Sequence, residues 1–333
     1  MTQKLSPEFE VLVQSALETR DVTADVLQLS GFYHSHPGRP TPWHEKFARP
    51  AYVSYFLPLN YARLRAAWHE VERFLPSQAV QAIWDFGSGL GTTHWVLEDS
   101  AWAPRPFVCM ELSHEAAQFH RDLAQRRQGR WQPQFKQPPR PDPGTLAVFS
   151  YSFLEMQHSL PSLQDFEHLL ILEPSTRECG RQLMQWRARL LEQGFQALAP
   201  CTHNARCPLL LHSGRDWCHQ RTIFEAPDWW LKLEEPLPMK NRTLTYSYLL
   251  MSRTLSEPEW RGSTRVIGDT LQERGKTRQM VCRGEQREFL SWLHKHGEPP
   301  FIPHGALLRG IETCQPKGGE MRAGPESKLE WFD

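Results

Sequence analysis

The sequence predicts an α/β fold with a doubly wound parallel sheet, and three observations predict it. Short apolar runs at 79–86, 106–112, 146–150 and 168–173 alternate with helical patterns at 92–97, 114–127 and 178–198. The first run ends in a glycine-spaced turn, Gly87-Ser88-Gly89-Leu90-Gly91, that opens directly into a helix. The second run ends in a carboxylate, Glu111.

The elements follow in order. Phe9, Leu12, Val13, Ala16 and Leu17, then Val26 and Leu27, recur at helical spacing. So do Leu57, Leu59, Tyr61, Leu64, Trp68 and Val71. A Pro/His-rich loop at 32–44 separates the two stretches, so residues 1–76 read as a helical N-terminal extension. Residues 77–199 read as the α/β core, interrupted by a loop at 132–144 with five prolines: 133, 138, 139, 141 and 143. Beyond Pro200 the texture turns to Cys, His and Trp, and a strand pattern returns at 243–252. Residues 200–312 are expected to be a Cys-rich insertion with the remaining core strands. The Gly/Lys/Glu-rich residues 313–333 are expected to be a disordered tail.

Bulk properties bound the function. The chain has 333 residues and no apolar run near the ~20 that a membrane helix requires. Its first residues show neither an apolar signal core nor an Arg-rich, acid-poor leader, so a bacterial cytosol is expected. With 38 basic and 38 acidic residues there is no global attraction to nucleic acid, and any such binding must come from local patches. The 13 Trp read as core, and the chain as a monomer. Seven Cys without a secretion signal argue against a disulfide framework and leave metal ligation or burial.

The turn carries the first functional signal. Glycines at alternate positions let backbone approach a ligand closely, and the helix that follows offers unpaired N–H groups. The third Gly comes one residue earlier than in the dinucleotide fingerprint, and Asp85 precedes the turn. That pattern resembles the S-adenosylmethionine methyltransferase motif. Asp85, Gly87, Ser88, Gly89 and Gly91 are then candidates for the cofactor's amino-acid end, and Glu111 for its ribose hydroxyls. No reaction motif follows. After the fourth strand the chain reads Ser150-Tyr151-Ser152-Phe153-Leu154-Glu155, without the Asn/Asp-Pro-Pro-Tyr/Phe clamp of amino-group methyltransferases. Pro200-Cys201 resembles a pyrimidine C5 nucleophile but lies beyond the fifth strand. Glu155 reads first as a solvated acid at a helix start and second as a general base.

The second signal is a cysteine constellation. Cys201, Cys207 and Cys218 have the spacing C-x5-C-x10-C, and Cys282 is a fourth candidate far along the chain. Four thiolates can close a tetrahedral zinc site or hold a four-iron cluster. His203, His212 and His219 interleave and could replace one Cys around zinc. Cys109 and Cys179 read as core.

Taken together, several segments resemble the methyltransferase-like mitochondrial small-subunit ribosome assembly factors and their bacterial relatives. They are Ala199-Pro200-Cys201-Thr202-His203 with Cys207-Pro208-Leu209, Asp216-Trp217-Cys218-His219, Tyr246-Ser247-Tyr248-Leu249, Leu172-Glu173-Pro174, and Ala51-Tyr52 with Leu57-Pro58-Leu59-Asn60-Tyr61. The resemblance spans roughly residues 50–310. Thr202 stands where the family usually has Pro, and residues 253–281 match only loosely. The resemblance implies a class I, Rossmann-like methyltransferase fold. It implies a 4Fe-4S cluster on Cys201, Cys207, Cys218 and Cys282, and binding to the small ribosomal subunit and its RNA during assembly. The alternatives are an active ribosomal RNA methyltransferase, or a small-molecule methyltransferase with structural zinc. A ribosomal partner requires phosphate-binding surface. Residues 261–287 offer seven basic side chains against three acids, and 121–140 hold a second basic run.

Overall fold

A computed structural model describes residues 2–136, 140–255 and 259–332, so Pro138 and Pro139 lie outside the described residues. The chain divides into two compact units. The first is Met1–Glu173 with Thr222–Thr245, and the second is Pro174–Arg221 with Tyr246–Asp333.

In the first unit the helices before the sheet include α1 (Pro7–Ser15), α2 (Thr23–Ser35) and α3 (Leu57–Phe74), the last entered through a short helix at Ala48–Ala51 and a π-helical turn at Tyr52–Phe56. Ser6 caps α1 by accepting from the Phe9 N–H, and Pro7 fills the first helical position, where no N–H is needed. Helix α3 buries Leu57, Leu59, Tyr61, Leu64, Trp68 and Val71, the face that the spacing marks. Tyr61 stacks on Phe9 with ring centroids 4.2 Å apart.

Five parallel strands follow: β1 (Ala82–Phe86), β2 (Phe107–Met110), β3 (Pro133–Gln134), β4 (Thr145–Ser150) and β5 (His168–Glu173). Their order across the sheet is β5-β4-β1-β2-β3. Every residue of β1 and β5 is buried, as near-continuous apolar runs in a sheet covered on both faces should be. Helices α4 (Thr92–Glu98) and α5 (His114–Arg127) return the chain between strands. The order reverses between β1 and β4, so the loops at their carboxyl ends open a crevice there. This is the Rossmann-like doubly wound class expected from the sequence. The expected strand at 79–86 is shorter at its start, because Ser77–Ala79 form a 3-10 turn.

The second unit starts with α6 (Arg177–Glu192), capped by Thr176 accepting from the Cys179 N–H. The helical pattern expected over 178–198 breaks at Gly194, whose φ of +88° suits a residue without Cβ. Strand β6 (Gln196–Ala199) follows and pairs antiparallel with β7 (Thr243–Ser252), Ala197 opposite Met251. Next come β8 (Thr264–Val266), β9 (Lys276–Arg283), β10 (Gln286–Leu293), β11 (Leu307–Arg309), β12 (Gln315–Lys317), β13 (Glu320–Ala323) and β14 (Glu330–Phe332). They form a separate sheet in the order β12-β13-β10-β9-β8-β11-β14, over a core of Val266, Val281, Leu290, Ile302, Leu308 and Met321.

Two sequence expectations are corrected here. Residues 313–333 were expected to be disordered, yet β12, β13 and β14 lie within 315–332. Their own composition is polar, but Met321 and Ala323 alternate into the core and the register comes from neighbouring strands. The boundary expected at residue 199 also moves upstream. The compact unit of the Cys-rich segment begins at Pro174 and includes α6.

Candidate cofactor site and cysteine cluster

The cofactor candidates converge where β1 meets its turn. Asp85 is almost wholly buried in β1. Its Oδ1 accepts from Thr93 Oγ1 at 2.8 Å, while Oδ2 has no hydrogen-bond partner. Burial, helped by the negative Glu111, pushes its carboxyl up to about 8. Ser88 Oγ is likewise buried without a partner. Gly87 and Gly91 adopt φ of +67° and +86°, and a Cβ would stand 2.7 Å from Ser152 Cβ or 2.3 Å from His120 Nε2. Around Gly89 there is space: the first atom a Cβ would meet is a Trp43 ring carbon at 3.6 Å.

Glu111 sits one residue past β2. Its Oε2 accepts from the Gly89 N–H and its Oε1 from the Ser113 N–H, both at 2.8 Å. The predicted ribose acceptor thus already braces the turn and the start of α5, with lone pairs remaining on both oxygens.

Glu155 differs from its first sequence reading. It lies in a turn rather than at a helix start, and it is half-buried. Burial, with Glu173 and Glu111 nearby, pushes its carboxyl up to about 8. A carboxyl raised into the neutral range suits proton transfer better than a solvated acid does. Tyr151 takes a φ of +63°, a strained value for a residue with a Cβ, at the place where a reaction motif would stand. Sequence reasoning also missed Tyr52, half-buried and within electrostatic reach of both Glu155 and Glu111.

The second unit gathers the four candidate cysteines. Burial pushes the thiols of Cys207, Cys218 and Cys282 up. In Cys218 and Cys282 the thiols of Cys201 and Cys207 push further in the same direction. Among the described residues, no three His, Cys, Asp or Glu side chains form a cage for a single metal ion. Of the histidine candidates, His203 places Nε2 3.7 Å from Cys282 Sγ. His212 Nε2 lies instead 3.1 Å from the Glu285 carbonyl, and the His219 ring lies against Trp217 and His304. Cys109 is buried in β2 as expected, whereas Cys179 is only half-buried near the start of α6.

Helix α6 holds the cysteine segment by its arginines. Arg177 donates to the Gly214 carbonyl at 2.6 Å, and Arg181 to those of Ser213 and Asp216, each at 2.9 Å. Arg187 donates to the carbonyls of His203 and Ala205. Trp217 Nε1 donates to the Ser175 carbonyl, and Gly180 leaves room for Trp217 and the Cys218 carbonyl. Arg187 was legible in principle: it occupies the apolar stripe Gly180, Leu183, Met184, Arg187, Leu190.

The basic run 261–287 is largely committed inside the unit. Arg265 is buried and donates to the Pro200 and Gly305 carbonyls. Lys276 and Arg278 pair with Glu273 and Glu320, Arg283 with Glu288, and Arg287 with Asp216. Arg261 donates to the Ala197 carbonyl and Gln196. In the other run, Arg127 pairs with Asp99 and Arg130 donates to three backbone carbonyls. Among the described residues no helix is long and apolar enough to cross a membrane.

A family model described as "Mitochondrial small ribosomal subunit Rsm22" matches residues 47–299. That description names a mitochondrial particle, in contrast to the bacterial cytosol expected above. No curated protein matches the chain significantly. Solved structures similar to it include the 16S rRNA methylase RmtB, 11% identical, covering 72% of this chain and 76% of that one with a TM-score of 0.33. The human methyltransferase 10 domain containing protein is 14% identical and covers 72% and 100%, with a TM-score of 0.35. TYW2 of M. jannaschii, solved in complex with AdoMet, is 9% identical and covers 57% and 76%, with a TM-score of 0.32.

Proposed function

This chain belongs to the Rsm22 family, and on that footing we propose that it is an S-adenosylmethionine-binding, iron–sulfur-holding protein acting on the small ribosomal subunit during assembly. The observation that carries the cofactor reading is the partnerless Oδ2 of Asp85, buried behind a glycine turn at the point where the sheet order reverses. A cationic amino-acid end would give that carboxyl a partner. Asp85, Gly87, Ser88, Gly89 and Gly91 would hold that end, and Glu111 would accept from the ribose. The bound cofactor supplies an activated methyl group. No Asn/Asp-Pro-Pro-Tyr/Phe motif follows β4 to direct onward transfer to an amino group.

Cys201, Cys207, Cys218 and Cys282 fit a four-iron cluster by the chemistry of the donor set. Each thiolate of a cubane binds a different iron, so the ring of sulfurs is wider than the cage around one tetrahedral ion. Cys282 Sγ lies 3.7 Å from Nε2 of His203, in the loop between Cys201 and Cys207, so the fourth cysteine stands against the segment that carries the first two.

The test is purification without oxygen, followed by iron, sulfide and zinc analysis, calorimetry with S-adenosylmethionine, and co-sedimentation with small-subunit precursors. Iron and sulfide in stoichiometric amounts, cofactor affinity and precursor binding are expected. Zinc without iron would overturn the cluster. Methyl transfer to ribosomal RNA would replace the assembly reading with that of an active enzyme. Absence from the precursors would remove the ribosomal partner.

A further inference from the structure

We infer that Arg187 is the built-in countercharge of the four-cysteine site, a positioning residue that sets how firmly the cluster is held and at what potential it is reduced; this rests on the cluster reading above. Arg187 lies on the apolar stripe of α6 and is 1% exposed. Arginine stays charged in proteins, and a buried charge is costly unless it is compensated. Among the described residues Arg187 makes no ion pair with a carboxylate. Its guanidinium donates to the carbonyls of His203 and Ala205, and its Nε is buried without a partner. Two neutral acceptors orient the guanidinium but bring no negative charge.

Those carbonyls lie within the loop between Cys201 and Cys207. His203 of that loop places its Nε2 3.7 Å from Cys282 Sγ, so the loop that Arg187 holds meets cysteines 75 positions apart in the sequence. A cluster held by four thiolates is an anion, and it would meet this cation in a low-dielectric setting where Coulomb attraction is strong. Arg187 would therefore both shape the loop that presents two ligands and neutralise part of the charge they carry. A buried cation beside a cluster favours the extra electron, so its removal should make the cluster harder to reduce.

The test compares wild type, Arg187→Met and Arg187→Lys, each purified without oxygen. Iron release to a chelator should be at least tenfold faster in R187M, and its midpoint potential in a spectroelectrochemical titration should be more negative. R187K keeps the charge without the fork, so its potential should stay near wild type while iron release quickens. The chelated, metal-free proteins separate this role from plain structural support. R187M without metal should melt no lower than wild type without metal, because the uncompensated charge is gone. If R187M fails to fold, R187K carries the test alone: a potential well negative of wild type in R187K, which keeps the charge, would overturn the proposal. A loaded wild type with R187M unchanged in potential and release overturns this proposal and leaves the cluster standing. Metal-free wild type overturns both.

Discussion

Glu111 Oε2 accepts a hydrogen bond from the backbone N–H of Gly89 at 2.8 Å, so the acid ending one strand holds the glycine turn ending its neighbour. Its other oxygen holds the Ser113 N–H, the residue that caps α5. Glu111→Gln keeps the shape but leaves only one carbonyl oxygen for the two donors. A net loss of about 1 kcal/mol or more in stability is expected. Cofactor affinity should fall roughly tenfold, because the turn and the ribose acceptor change together. Melting curves and calorimetry check both, and an unchanged affinity would remove Glu111 from the site.

The glycines of the turn should separate folding from binding. Gly89→Ala meets only a Trp43 carbon at 3.6 Å, so its structural cost is the left-handed backbone, about 1–2 kcal/mol. It should fold and bind S-adenosylmethionine weakly. Gly91→Ala drives a Cβ into the His120 ring and should lower stability by more than G89A. If G89A bound the cofactor as wild type does, the turn would be a structural feature alone.

Stability without cofactor should fall as pH rises. Asp85, Glu155 and Glu173 each have carboxyls raised to about 8 in the folded chain, against about 4 when unfolded. The folded state therefore binds more protons between those values, and its stabilising share is complete below pH 4 and lost as pH passes 8. Melting temperature should drop from pH 6 to pH 8, and Asp85→Asn should flatten part of that slope. Affinity for the cationic cofactor should rise over the same interval, as Asp85 loses its proton. A calorimetric affinity falling from pH 6 to pH 8 would contradict the role given to Asp85.

Metal retention should distinguish the ligands. Serine at Cys201, Cys207, Cys218 or Cys282 should lower iron content and loosen the second unit to protease. Cys109→Ser, His212→Ala and His219→Ala should leave iron bound, since those side chains point to other partners. Retention in Cys282→Ser with loss in His203→Ala would move the fourth ligand to His203, which sits 3.7 Å from that sulfur.

Charge reversal in the basic run should give two different phenotypes. Arg278 pairs with Glu273 and Glu320 and stacks over the Phe289 ring, so Arg278→Glu should cost stability first. Arg274 is exposed. If this face meets ribosomal RNA, Arg274→Glu should weaken precursor binding at low salt, with a smaller difference at high salt. Equal binding by wild type and R274E at low salt would leave Arg274 out of the interface.

What was legible in the sequence is what local pattern encodes. Strands buried on both faces read as apolar runs, and the turn at Gly87 to Gly91 is written in consecutive residues. The cysteine spacing marked three candidate ligands, whereas Cys282 is placed by β9, where it pairs with Arg265 of β8. The polar strands after residue 313 were illegible because their register comes from neighbours. The basic run misled because sequence counts charges, whereas folding paired Arg283 with Glu288 and Arg287 with Asp216. Arg187 was visible as a charge on an apolar stripe, yet only the fold shows that it faces carbonyls of the cysteine loop.

The interleaving of the two units has a consequence for the nascent chain. Thr2 and Gln3 pair in parallel with Ile223 and Phe224, so during synthesis they wait for partners made about 220 residues later. The first unit is complete only at Thr245, after Cys201, Cys207 and Cys218 of the second have already emerged. Translation therefore exposes Cys201, Cys207 and Cys218 well before Cys282 arrives. During that interval the thiols are open to oxidation and stray metals, and a cell making this protein under oxygen stress should lose it at birth rather than after folding.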